Sequence, residues 1–251
     1  MTTLAMARHL GRRLGRGLVH LLACGLLPTA LHAATPAVAL YYGNALPLSD
    51  FRAFDIVVVE PDHAAHPTGN ARAQIAPTRF YAYVSVTEVL PARAHYAEIP
   101  QAWKFARNKD WQSDVIDQSV ADWPDFFASR VVAPLWERGY RGFFLDTMDS
   151  YRLAAQFDEQ AQQDGLVRVI ETLHQRFPGI RLILNRGFDI VPRVRDKIEM
   201  VAAESLYRGW NARTQRYEDV TPQDRAWLQA QLRTIQQRDG LPVLAIDYAP
   251  P

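Results

Sequence analysis

Residues 142–146 read GFFLD, an apolar run of strand length closed by a carboxylate. Runs that are apolar almost throughout suit strands buried on both faces, not strands that alternate between core and water. Similar runs lie on either side: DIVVVE at 55–60 and RLILN at 181–185. Together with 38–42, 80–86, 200–204 and 242–247 they make a set of candidate strands separated by longer, helically periodic stretches. Leu166, Ile170, Leu173 and Phe177 recur at helical spacing up to the stop signal Pro178-Gly179. Phe126, Phe127, Val131 and Leu135 form a second stripe. Thr221-Pro222 opens a further helix as N-cap and first-turn proline, with Trp227, Leu228, Leu232 and Ile235 expected to face the core. Strand and helix alternating in this way predict an α/β protein built from parallel βα units, here a (β/α)8 TIM-like barrel.

The rival architecture is a doubly wound open sheet. Its dinucleotide fingerprint is missing, because the segment after the first strand runs YYGNALPL, with no glycine-rich phosphate turn. Closing a parallel barrel takes eight strands. The seventh candidate is followed at once by Pro250-Pro251, so the expectation is a barrel truncated before or around the eighth strand.

Residues 1–34 are expected to be a secretory signal. Arg8, Arg12, Arg13 and Arg16 form a basic leader, 17–27 an apolar core too short to span a bilayer, and small residues around Ala33 and Ala34 a cleavage site. Removing this segment takes four positive charges and no negative ones, so the formal net charge moves from +1 to −3. It also removes Cys24, the single cysteine, so residues 35–251 carry no disulfide or thiol chemistry. The expectation is an exported protein, periplasmic or secreted. It has no second apolar run able to span a membrane and no basic surface that would make nucleic acid its partner.

Candidate strands end one after another in acids: Glu60, Asp146, Glu204 and Asp247, with Glu88 just after the third strand. In a (β/α) barrel those ends converge on the face that carries the active site. One acid there is usually a cap or a turn. Several like charges gathered in one place are costly unless a cation or a transferring proton sits among them. Paired carboxylates at a barrel mouth are the equipment for glycoside hydrolysis, and Asp146 with Glu204 is the candidate pair. No G-x-S-x-G elbow, P-loop or HExxH is present. Asp62, His63 and His66 would be the start of a metal site of deacetylase type, but no third partner is evident and an exposed turn explains them; no metal or cofactor is expected. Tyr41, Tyr42, Tyr83 and Trp210 lie at or near strand ends, as sugar-stacking faces or as rim packing. Asn185-Arg186 could orient a carboxylate or a sugar hydroxyl, or Arg186 could be a structural ion pair.

At FFLDTMDS, LILNRGFD, AAESL and LAIDY the sequence resembles the endo-α-1,4-galactosaminidases, from about Val38 to Tyr248. Members of that family are (β/α) barrels with catalytic acids at the ends of the fourth and sixth strands, positions that fall on Asp146 and Glu204. The resemblance implies an endo-acting, retaining hydrolase of α-1,4-linked galactosamine or N-acetylgalactosamine exopolysaccharide, a Pel-like biofilm polymer. Asp146 would be nucleophile and Glu204 acid/base. The implied partner is a cationic or partly acetylated amino-sugar chain, with polysaccharide secretion machinery beside it. Glu60, Glu88, Asp149 and Asp247 would meet the ammonium groups, and Tyr248 of LAIDY would join the substrate-binding set. One departure is Thr87, where the family has a glycine before the acid. Two other classes stay open: a non-catalytic polysaccharide-binding barrel and a metal-dependent deacetylase.

Overall fold

The computed structural model describes residues 36–44, 48–63, 66–68, 75–211 and 213–248. The expected signal segment lies outside them. Seven parallel strands form one sheet: β1 (Val38–Tyr41), β2 (Ile56–Val59), β3 (Arg79–Ser85), β7 (Gly142–Asp146), β8 (Arg181–Asn185), β9 (Met200–Glu204) and β12 (Val243–Ile246), in that spatial order. Each is one of the apolar runs read from the sequence. Consecutive parallel neighbours in one direction make the curled wall of a (β/α) barrel.

Side-chain alternation along each strand sorts the core into two layers. Ile56, Val58, Tyr81, Phe144, Ile183, Met200 and Ala202 pack together inside the curve. Val57, Val59, Phe80, Phe143, Leu145, Leu182, Leu184 and Val201 face outward to the helices. Gly142 is required by the inner layer, since a Cβ there would lie 2.6 Å from the Tyr81 ring. The helices on the outside are α1 (Leu48–Phe51), α2 (Trp123–Phe126 and Ala133–Glu137 joined by a π-helical stretch Phe127–Val132), α3 (Glu159–Arg176), α4 (Val191–Val194) and α5 (Pro222–Thr234). Asp158 and Thr221 cap α3 and α5 by accepting from Ala161 and Asp224 amides. Among the described residues no helix is long and apolar enough to cross a membrane.

Two additions to the barrel were not expected. β4 (Glu88–Val89), β5 (Lys104–Asn108) and β6 (Ser113–Ile116) make an antiparallel sheet after β3, and β10 (Arg208–Asn211) with β11 (Arg216–Asp219) a hairpin after β9. The inward stripe expected of the last helix is also corrected at one position. Leu228, Leu232 and Ile235 are buried, but Trp227 is 50% exposed.

Candidate active site

The inner-layer alternation continues one step past the apolar core at the carboxyl end of each strand. Positions 58, 83, 144, 183 and 202 point inward, so Glu60, Asp146, Asn185 and Glu204, two residues on, share that face with Tyr83. The side-chain amide of Asn185 binds both candidate acids, donating to Asp146 Oδ1 at 2.7 Å and to Glu204 Oε1 at 2.8 Å. Because both bonds leave one nitrogen, those two oxygens are at most about 5.5 Å apart, within the range over which glycosidases hold their carboxyl pair. Tyr83 donates to Asp146 Oδ2 at 2.6 Å, and the Tyr248 hydroxyl donates to Glu204 Oε2. Tyr42 stands edge-on to Tyr83 with centroids 5.4 Å apart. Asn185 Oδ1, in contrast to its amide, is buried without a hydrogen-bond partner.

Burial pushes the Asp146 carboxyl above the usual aspartate range, and the charge of Glu204 adds to this. Hydrogen bonds from Tyr83, the Thr147 backbone and Asn185 pull the other way. The hydroxyls of Tyr83, Tyr42 and Tyr248 are all pushed upward by burial first, and then by the nearby carboxylates. They therefore stay protonated, and Tyr83 and Tyr248 donate to the two carboxylates.

The residue that follows Asp146, Asn185 and Glu204 in each case has a left-handed backbone: Thr147 (φ 62°), Arg186 (φ 63°) and Ser205 (φ 65°). Such a conformation costs a residue with a side chain about 1–2 kcal/mol. Specific bonds hold it. The Arg186 and Ser205 amides donate to Ala202 O and Ile246 O at 2.8 and 2.9 Å, and Thr147 Oγ1 lies 2.8 Å from Ser85 Oγ. Strain of this kind is concentrated where chain direction must change at once behind a fixed side chain.

The remaining acids read from the sequence are engaged elsewhere. Glu60 is 7% exposed and gripped by both terminal nitrogens of Arg93 at 2.8 Å, and Asp62 shares that guanidinium at 2.6 Å. Glu88 is 6% exposed in the small antiparallel sheet, where Ser113 and Asn108 donate to it. Asp247 accepts from the Tyr207 and Arg208 amides at 2.9 and 2.7 Å, fastening the start of the hairpin. Asp149 is paired with Arg186 at 3.8 Å. Of the four acids expected to meet substrate cations, Glu60 and Glu88 are therefore buried against protein donors, whereas Asp149 is half-buried and Asp247 exposed. Carboxylates drawn out of water are stable only with donors, and here the protein supplies them.

Tyr41 is also corrected, since it lies on the outer face of β1 against Phe51, with centroids 5.4 Å apart. Trp210 sits on the hairpin, not on the rim. It packs against Tyr217 at 5.2 Å, and Tyr217 stacks on Tyr248 at 4.5 Å. Tyr217 was missed because its strand, RYED, has neither apolar run nor alternation. His63 Nδ1 lies 2.7 Å from Tyr42 O, whereas His66 packs edge-on to Tyr140 at 4.6 Å. Among the described residues no three potential ligands gather to hold a metal ion.

Residues 29–251 match the sequence model of glycoside-hydrolase family GH114. The structure is similar to that of the glycoside hydrolase domain of PelA from Pseudomonas aeruginosa, at 35% identity over 86% of this chain and 85% of that one, with a TM-score of 0.75. It also resembles Ega3 from Aspergillus fumigatus, solved in complex with galactosamine. There the identity is 16% over 84% of this chain and 76% of that one, with a TM-score of 0.63, a likeness of fold. No curated protein matches the sequence significantly.

Proposed function

This chain belongs to glycoside-hydrolase family GH114, and from that premise we propose that it is an exported endo-α-1,4-galactosaminidase acting on an amino-sugar exopolysaccharide of Pel type. The observation that carries the reading is Asn185 joined to two carboxylates at a separation within the range that glycosidases use. Support for the substrate comes from the motifs FFLDTMDS, LILNRGFD, AAESL and LAIDY and from the tyrosines around the pair. The leader 1–34 supports export.

In this mechanism an Asp146 oxygen attacks the anomeric carbon while Glu204 gives its proton to the departing glycosidic oxygen. A glycosyl ester on Asp146 results, and the free chain end leaves. Glu204, now a carboxylate, takes a proton from water as the water oxygen attacks the same carbon. Asp146 departs with its bonding electrons, and the configuration is retained after two inversions. Tyr83 and Asn185 stabilise Asp146 in its charged form before attack and on departure. Asn185 Oδ1 is the acceptor for a substrate hydroxyl or ammonium. The test is reducing-end release from α-1,4-linked galactosamine polymer, followed by product sizing. Mixed oligosaccharides are expected early in the reaction, and monosaccharide alone or no release would overturn the endo-hydrolase reading.

A pH dependence follows from Asp146. Attack needs the carboxylate, and its titration in the folded protein lies above the ordinary aspartate value of about 3.9. Activity is therefore expected to fall on the acid side at higher pH than an exposed aspartate would dictate. The Tyr83 hydrogen bond lowers that titration, so Tyr83→Phe should move the acid limb of kcat/KM to still higher pH. A limb that stays in place or moves down would remove Tyr83 from this role.

A further inference from the structure

A groove of about 660 Å³ reaches the residues that follow Asn185 and Glu204 and is not used by the chemistry just described. It is lined by Arg186 and Ser205, the residues next to Asn185 and Glu204, together with residues of the β10–β11 hairpin and the start of α5. Two indoles line it, and each keeps part of its surface exposed. Trp210 is 43% exposed and Trp227 is 50% exposed. Each is braced from the side, Trp210 by Tyr217 and Trp227 by Phe188 at 5.9 Å, so the rings are held in place while apolar surface remains open. The charged lining is Asp110, Glu218, Asp219 and Asp224 against Arg186 and Arg213, an excess of two negative charges. Hydrogen bonds from Thr214 and Asn211 hold Glu218 below the usual carboxylate range.

Braced indoles with exposed faces among excess negative charge suit a ligand with flat apolar faces and cationic substituents, which describes a chain of amino sugars. Direction follows from continuity. The aromatic row Trp210, Tyr217, Tyr248 leads from the groove to Glu204, the group that protonates the leaving oxygen, whereas Tyr83 and Tyr42 cluster at Asp146. We propose that this groove binds the polymer on the leaving-group side of the scissile bond, with Trp210 and Trp227 stacking on sugar rings and the acidic lining meeting their ammonium groups. The proposal rests on the galactosaminidase reading above.

The test is calorimetric binding of α-1,4-galactosamine oligomers to Glu204→Gln protein, with and without Trp227→Ala. Affinity for a hexasaccharide is expected to fall about ten-fold on loss of one stacking platform. Affinity for a disaccharide held at the carboxylates should be nearly unchanged, and Trp227→Phe should restore part of the loss. Because Trp227 is exposed, the thermal midpoint should hold, and a protein that keeps its midpoint reports on binding alone. Equal affinities with and without the indole, or equal losses at every length, would overturn the groove assignment. The two readings fail separately. Trp227-dependent binding without reducing-end release by the wild-type chain leaves the groove and ends the hydrolase, whereas release with no Trp227 effect does the reverse.

Discussion

Asp146→Asn is expected to lower kcat by roughly 10⁴–10⁶-fold, the scale on which removal of a covalent nucleophile acts. The amide keeps the shape of the side chain. It can accept from Asn185, and it can donate to Tyr83, whose hydroxyl can turn from donor to acceptor. What is lost is the charge that attacks. Stability should move differently from activity, and the sign follows from the raised titration of Asp146. A carboxyl whose folded titration lies above its unfolded one favours the fold below the unfolded value. That contribution is lost as pH rises through the folded value. At neutral pH the buried charge is therefore a cost, and the uncharged amide should leave the thermal midpoint equal or higher. A collapse of activity together with a lowered midpoint would mean that Asp146 mainly supports the fold. Near-normal turnover would move the nucleophile to another residue.

Glu204→Gln should reduce turnover of the polymer by about 10²–10⁴-fold, the usual contribution of acid–base catalysis. A companion experiment with Glu204→Ala separates its two duties. On an α-glycosyl fluoride the leaving group needs no proton, so the glycosyl ester on Asp146 forms and then stalls for want of a base. Azide attacks without surrendering a proton, and it should restore turnover. Its product should be the α-azide, because two inversions have occurred. A β-azide would show direct displacement and end the covalent role of Asp146, whereas absence of rescue would take the base role from Glu204.

The seven barrel strands were legible because burial on both faces forces continuous apolar runs, and GFFLD, RLILN and MVAAE coincide residue for residue with β7, β8 and β9. The two carboxylates and Asn185 were legible for a related reason, since strand ends in this fold converge on one face. The identity of the next polar residue does not, however, reveal which donor will meet it. Glu60 stands at a strand end just as Asp146 does, but it is matched by Arg93, thirty-three positions away and carried on a loop without periodicity. Tyr41 and Tyr42 look alike in sequence, and only the alternation of β1 sends one outward to Phe51 and the other towards Tyr83. The hairpin was invisible because both its strands are mostly polar, without an apolar run, and the misplaced Trp227 follows from that. Its position suits a helical core stripe, and nothing in its own helix announces the groove beside it.

Among the described residues the hairpin pairs with no strand of the barrel sheet. β10 and β11 bond to each other, and Arg208 and Asp219, where the excursion begins and ends, are partners in register. Residues can be inserted or exchanged at its tip without shifting β9, and therefore without moving Glu204. The carboxylate pair and most of the groove proposed to bind polymer thus lie on different stretches of chain, joined where Tyr217 of the hairpin stacks on Tyr248. A barrel of this kind can change the surface it offers to polymer by altering the tip of one short excursion of chain, while Tyr217 at its base keeps its place against Tyr248.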